Sequence, residues 1–181
     1  MDKKQISLMS GKLLVVYDNL FSYHERKDWF TFIKNSLYKV DGIEDISYSN
    51  QPFQLYSSYS KQDVDSMGFF NSNGFKQIDK DYQLSNKKVR QARVNLSPAS
   101  ERNNVHTDGN KLTLLYYCNL RWETNWGGHT LYMDDKLLDA EYACLYTPGR
   151  VVLFDGSIPH MIMSPTPTAE LHRFSFAIQF E

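Results

Sequence analysis

The sequence predicts an α+β chain, mainly β, in which a sandwich or barrel of short strands is backed by N-terminal helical structure. Three observations carry this. From residue 91 onward six strand-like runs, "QARVNLS", "KLTLLYYCNL", "GGHTLYM", "EYACLYT", "GRVVLFD" and "HRFSFAIQF", are separated by Gly, Pro, Asn and Asp turn signals. The last run alternates: His172, Phe174, Phe176, Ile178 and Phe180 point one way, and Arg173, Ser175, Ala177 and Gln179 the other. Near the N-terminus, Ser22 stands three residues before Glu25, the spacing of a capping box, ahead of a helical pattern.

In chain order, "KLLVVYDNLFS" reads as a buried strand that stops at Asp18-Asn19. The segment behind it places Trp29, Ile33 and Leu37 at steps of four, flanked by Phe30 and Phe32, as on one apolar helix face. Glu25, Arg26, Lys27 and Asp28 crowd the first turn and are expected to face water. Between residues 42 and 92 no period of 2 or 3.6 is sustained. That stretch reads either as a binding loop or lid, or as a poorly patterned helix with short edge strands. The greasy face of the last run should pack on the helix layer. Its other face, one arginine among small residues, has the look of a pocket wall.

A length of 181 residues without repeats or low-complexity tracts fits one domain, 1–181. Lys+Arg 20 against Asp+Glu 21 gives a net charge of -1, unlike the strongly basic footprint of a dedicated nucleic-acid binder. The one local basic cluster is Lys87, Lys88, Arg90 and Arg93, expected to lie on a solvated strand edge that its lysines blunt. No apolar run approaches the roughly 18 residues of a membrane span, and no signal-peptide pattern opens the chain, so it reads as cytoplasmic. Cys118 and Cys144 form neither a disulfide framework nor a C-x-x-C pair.

Of the five histidines, only His106 begins an H-x-D, ending at Asp108. Residues i and i+2 of a strand project to the same side, so the imidazole and the carboxylate can converge on one ion. A second histidine from a distant strand would complete the two-His-one-carboxylate face of non-haem Fe(II) sites. His129, after Gly127-Gly128, and His160, after "VVLFDGSIP", could each supply it; His129 also reads as an ordinary strand residue. Thirteen residues past His160 comes Arg173. An inward arginine is costly unless an anion meets it, and that anion could be a bound dicarboxylate or an internal residue such as Asp155.

These segments resemble the Fe(II)- and 2-oxoglutarate-dependent dioxygenases, and within them the prolyl hydroxylase branch. "VHTDGN" resembles the first metal motif, "KLTLLYYCNL" the strand after it, and "RWETNWGGHTLYM" the Trp-containing turn, Gly-Gly and next strand. "PGRVVLFDGSIPH" is similar to the strand that delivers the second histidine, and "HRFSFAIQF" to the last core strand. "SPTPTAE" lengthens the loop after His160, and residues 42–92 match no part of the family pattern.

The resemblance implies a double-stranded β-helix, a jelly roll with supporting N-terminal helices. It implies Fe(II) held by His106, Asp108 and His160, and 2-oxoglutarate and O2 as co-substrates. Arg173 with Tyr117 would anchor the far carboxylate of 2-oxoglutarate. Ascorbate enters as an optional reductant. Oxidative decarboxylation to succinate and CO2 would drive hydroxylation of an unactivated C–H, and a carboxylate at position 108 fits hydroxylation rather than halogenation.

The favoured substrate is proline in a protein or peptide, with loops 50–90 and 161–170 folding over it at the barrel mouth. A free amino acid, another small molecule or a nucleic acid is the alternative. A non-catalytic jelly-roll module would leave an inward Arg173 unexplained, and a zinc hydrolase would lack its H-E-x-x-H helix. Oligomeric state is left open.

Overall fold

The computed structural model describes residues 1–41, 54–99, 103–109 and 112–181. Its strands are β1 (Asp2–Gln5), β2 (Leu14–Asp18), β3 (Lys39–Asp41), β4 (Gln54–Tyr59), β5 (Val89–Ser97) and β6 (Leu112–Tyr117). They continue with β7 (Thr130–Met133), β8 (Ala140–Cys144), β9 (Val151–Asp155), β10 (His160–Ile162) and β11 (Arg173–Phe180). Helices α1 (Tyr23–Lys34), α2 (Lys61–Ser66) and α3 (Asn73–Tyr82) interrupt the first half. Eight strands form one sheet in the order β1-β2-β9-β6-β11-β5-β4-β3, and β10-β7-β8 form a second. Every recorded strand pairing is antiparallel.

Strand alternation sorts the large sheet into two faces. Val15, Tyr17, Leu114, Tyr116, Val151, Leu153, Phe176 and Ile178 join Trp29, Ile33, Val64, Phe69, Phe75 and Ile78 of the helical layer in one apolar cluster. Leu14, Val16, Leu115, Tyr117, Val152 and Phe154 face the other way and meet Tyr132 and Cys144 of the small sheet. The two sheets enclose this inner core, giving the mainly β jelly roll with supporting helices. The last strand behaves as its alternation predicts: Phe174, Phe176, Ile178 and Phe180 pack outward on the helices, while Arg173 and Ser175 are buried inside.

The capping box forms. Ser22 Oγ accepts from the Glu25 N–H at 3.3 Å, and Glu25 Oε2 accepts from the Ser22 N–H at 2.8 Å. Trp29 and Ile33 are buried, but Leu37 is 89% exposed. The helix ends at Lys34, one turn short of it, and Tyr38 takes the packing position instead. Arg26 also departs from expectation, because its guanidinium lies across Gly149 rather than in water.

Within 54–92 the plainer of the two readings holds in outline, with two helices in place of one and β4 lying between β5 and β3 rather than at an edge; α2 and α3 bury Val64, Phe75 and Ile78 on the outer face of the sheet. The 60–86 part of the expected lid is therefore structural backing; residues 42–53 lie outside the described residues. The basic cluster is not on a strand edge either. β5 runs between β11 and β4, where central burial outweighs its charged composition. Lys88 pairs with Glu181 at 3.0 Å, Arg90 donates to the Asp108 carbonyl at 3.0 Å, and Arg93 points inward. Both cysteines are free and buried. Among the described residues no helix is long and apolar enough to cross a membrane.

Candidate metal centre

His106, Asp108 and His160 converge, each offering one donor atom within 4.8 Å of the others. Backbone pairing brings them together. His106 N–H donates to the His160 carbonyl at 3.0 Å, His160 N–H donates back at 2.9 Å, and Asp108 N–H donates to the Gly156 carbonyl at 2.9 Å. His160 is also the first residue of β10, a strand the sequence pattern does not announce because it is three residues long. The Nδ1 atoms of both imidazoles lie against backbone carbonyls, Asn104 at 3.1 Å for His106 and Ile158 at 2.9 Å for His160. A proton on each Nδ1 satisfies those contacts and leaves Nε2 as the lone-pair donor. Asp108 is oriented by Thr113, whose hydroxyl donates to Oδ2 at 2.5 Å. His160 Nε2 and Asp108 Oδ2 stand 4.0 Å apart. Donors bound to one ion at roughly 2.0–2.2 Å end about 3–3.5 Å from each other, so a small closure completes the site. Burial holds the His160 imidazole below its ordinary pKa, with His106 acting the same way and Asp108 opposing. The neutral, ligating form is favoured.

The triad opens into a cavity of about 90 Å3. Its mouth carries Gln54, Gln91, Arg93, Asn95, Asn103 and Gln179, and its floor Leu115, Phe154 and Ala177. Deeper in the barrel lies Arg173, 0% exposed. It donates from Nε to the Gly128 carbonyl (2.9 Å), from Nη1 to Ser175 Oγ (2.9 Å) and from Nη2 to Thr130 Oγ1 (3.4 Å). Its guanidinium stands 5.3 Å from the Tyr117 ring and 5.0 Å from the Tyr146 ring. Tyr117 is fully buried and donates to the same Thr130 hydroxyl at 2.8 Å. Among the described residues no carboxylate lies within ion-pair distance of Arg173; Asp155 is engaged instead by Ser157, at 2.7 Å from its hydroxyl. Gly128 is required here, since a Cβ would sit 3.2 Å from both Arg173 Cδ and Trp122 Cζ2, and its φ is +76°.

Sequence reasoning thus places the triad together and sets Arg173 beside Tyr117, but the two groups do not line one continuous open cavity. His129 stands outside the triad, half-buried just before β7. Four participants were missed. Thr113 and Ser175 are small hydroxyls inside strands, legible only once the inward face is known. Ser97 and Tyr132 are buried with hydroxyls that have no hydrogen-bond partner. Ser97 is the cross-strand neighbour of Arg173, and the Tyr132 hydroxyl is within electrostatic reach of both Asp108 and Arg173. The interior between the triad and Arg173 is therefore lined by polar groups without partners and a cation without an anion. The loop after His160 also differs from expectation. Pro165 bridges to Gly127 and the Thr166 N–H donates to the Trp126 carbonyl at 2.9 Å, holding the loop against that turn instead of over the mouth.

No protein-family model matches this sequence, and no curated protein does. Solved structures do. A prolyl hydroxylase from Trichoplax adhaerens, in complex with a hypoxia inducible factor oxygen degradation domain peptide, superposes with a TM-score of 0.67 at 16% identity, over 92% of this chain and 82% of that one. A Pseudomonas putida prolyl-4-hydroxylase gives 0.66 at 13% identity, over 93% and 92%. The non-heme α-ketoglutarate-dependent epimerase SnoN of nogalamycin biosynthesis gives 0.70 at 13% identity, over 93% and 77%. The chain has the fold of the 2-oxoglutarate and Fe(II)-dependent oxygenases, prolyl hydroxylases among them.

Proposed function

We propose that this chain is an Fe(II)- and 2-oxoglutarate-dependent dioxygenase that hydroxylates an unactivated C–H bond. The observation that carries the reading is the pairing of two features in one barrel. A strand-borne His-Asp-His triad opens into a cavity, and beneath it lies a fully buried guanidinium that meets no anion among the described residues. The donor set is that of a facial triad, which leaves positions open on the ion. The unpartnered hydroxyls of Ser97 and Tyr132 fit a carboxylate-bearing ligand in the interior.

His106 and His160 would hold the metal through Nε2, and Asp108 through a carboxylate steered by Thr113. Arg173 would receive the distal carboxylate of 2-oxoglutarate, with Tyr117 and Ser175 orienting the guanidinium and the carboxylate. Leu115, Phe154 and Ile162 form the apolar wall that excludes water from the reacting centre. When bound, Fe(II) with 2-oxoglutarate and O2 supplies the oxidising chemistry, releasing succinate and CO2 and placing one oxygen atom on the substrate.

Within this reading the substrate is proline in a protein or peptide. The likeness of the "LLYYCNLRWETNWGG" segment to prolyl hydroxylases and the superposition on a prolyl hydroxylase–peptide complex support it. A free amino acid or other small molecule is the second reading, supported by the small cavity and by a β10–β11 loop pinned away from the mouth. A nucleic-acid substrate is disfavoured because Lys88, Arg90 and Arg93 point to different places. The test is anaerobic Fe(II) and 2-oxoglutarate binding, followed by succinate release and a +16 Da product with proline-rich peptides, free proline and single-stranded oligonucleotides. Absence of 2-oxoglutarate binding would sink the oxygenase reading. Turnover with free proline alone would sink the peptide reading.

A further inference from the structure

Arg93 is the second guanidinium in the barrel and plays no part in the chemistry above. It comes from the middle of β5, opposite Ala177 of β11, and lines the same cavity as His106, Asp108 and His160. It is held in place by neutral groups. With the Gln91 carboxamide nitrogen donating to Gln179 Oε1 at 3.2 Å, its oxygen accepts from Arg93 Nε at 3.0 Å and Nη2 at 2.8 Å. Nη1 donates to Gln54 Oε1 at 3.4 Å, and the guanidinium lies 4.0 Å from the Tyr56 ring centroid. Three of the five N–H groups of an arginine are thereby used, and the fork is stacked and fixed before any ligand arrives. Among the described residues no carboxylate pairs with it. Asp108, the one carboxylate on the described cavity wall, belongs to the triad.

On the oxygenase reading, on which this inference rests, the charges inside the barrel do not cancel. A divalent ion with Arg93 and Arg173 brings four positive charges into the barrel. Asp108 and 2-oxoglutarate bring three negative ones. One positive charge is left, and it sits at the mouth, where a substrate enters. Ala177 has no side chain long enough to cover the guanidinium from the neighbouring strand.

We propose that Arg93 is a specificity-determining residue that binds a carboxylate of the substrate, fixing the C–H to be oxidised over the metal centre. The substrate class is thus a carboxylate-bearing one: either a free imino or amino acid, or a peptide with an acidic residue beside the target.

The full chain, loaded anaerobically with Fe(II) and 2-oxoglutarate, is titrated calorimetrically with matched probes. These are L-proline against L-prolinamide, and proline peptides carrying Asp against the same peptides carrying Asn. At least one carboxylate probe binds, and its amide partner binds about 10- to 100-fold more weakly. Which pair responds identifies the source of the carboxylate. Arg93→Gln erases the difference within the pair while 2-oxoglutarate affinity stays within about twofold, and Arg93→Lys restores part of the difference. Equal binding within every pair, a preference that survives Arg93→Gln, or binding of no carboxylate probe would each overturn the proposal. So would a primary loss of 2-oxoglutarate affinity in Arg93→Gln, which would make this arginine the co-substrate anchor. Failure of the oxygenase reading shows separately, as no 2-oxoglutarate binding to the wild-type Fe(II) protein; the same probe pairs titrated without 2-oxoglutarate then still decide.

Discussion

The two ends of the barrel interior solve the problem of an inward charge in opposite ways. At the mouth, the triad and Arg93 share a cavity rimmed by carboxamides, with donor atoms spaced apart and space left between them. At the buried end, Arg173 is sealed and wedged between Gly128, Thr130, Ser175 and two tyrosine rings. Burying an ion without a counter-ion costs several kcal/mol, and neutral acceptors offset only part of that. A chain selected for stability alone would not keep such a group. On the proposed function, the contrast is between a mouth arranged for exchange and a buried end kept ready for an anion.

The largest effect should come from breaking the mouth. His106→Ala or His160→Ala removes one of three metal donors and should abolish turnover and metal retention. His106 is exposed, so thermal unfolding of its metal-free variant should change little; His160 is buried against Phe154 and Tyr132, so its metal-free variant should melt lower while still unfolding cooperatively. A single variant that keeps full metal content by elemental analysis, and full activity, would break the assignment.

The second test separates a functional Arg173 from a structural one. Arg173→Met keeps the volume and deletes the charge, and replacing a buried unpaired charge by a packed apolar chain is often neutral or stabilising. The metal-free variant should therefore unfold at the same temperature as wild type or higher. Its 2-oxoglutarate affinity should fall by roughly 10- to 100-fold, the loss of a charge-assisted bond worth about 1.5–3 kcal/mol. Arg173→Lys should keep part of that affinity. Destabilisation with unchanged 2-oxoglutarate binding would make Arg173 a structural residue and erase the difference between the two ends.

How far the sequence reveals these ends follows from the range of each signal. Period-2 alternation is local and strong in residues 172–180, so the inward position of Arg173 is readable without a fold. H-x-D is likewise local. The partner of His106 is not: His129 stands just before β7 and His160 opens β10, and the antiparallel bridge between His106 and His160 decides between them. β4, α2 and α3 escape because their apolar positions are diluted by Ser, Asn and Asp, and long-range packing supplies what periodicity lacks: Tyr59 of β4 meets Phe176, and Phe69, between α2 and α3, meets Tyr116 and Phe176. Arg93 is hidden for a related reason. Inside "KKVRQAR" it reads as one more surface charge, and only the central place of β5 in the sheet turns it inward.

A smaller effect is expected from Tyr132→Phe, between the two ends. The hydroxyl is buried without a partner, and such a group costs about 1–3 kcal/mol. Removing it should raise the melting temperature of the metal-free protein. If the interior receives a dicarboxylate, the same variant should bind 2-oxoglutarate several-fold more weakly. A higher melting temperature with unchanged affinity would show that the hydroxyl does not meet the ligand.

The smallest effect belongs to the histidine that sits at neither end. Thr130 and Tyr132 of β7 are buried, and alternation then turns the neighbouring His129 and Leu131 toward the outer face of the small sheet. What His129 contributes is its backbone, whose carbonyl accepts from the Met163 N–H at 2.8 Å, and alanine keeps that bond. His129→Ala should retain metal stoichiometry and hold kcat/KM for 2-oxoglutarate within about twofold. Half-buried side chains away from a site usually contribute little to binding, so melting should shift by no more than the equivalent of about 1 kcal/mol. Loss of the metal in this variant would mean that His129 rather than His160 completes the triad, and that the mouth of the barrel has been assigned to the wrong edge of the small sheet.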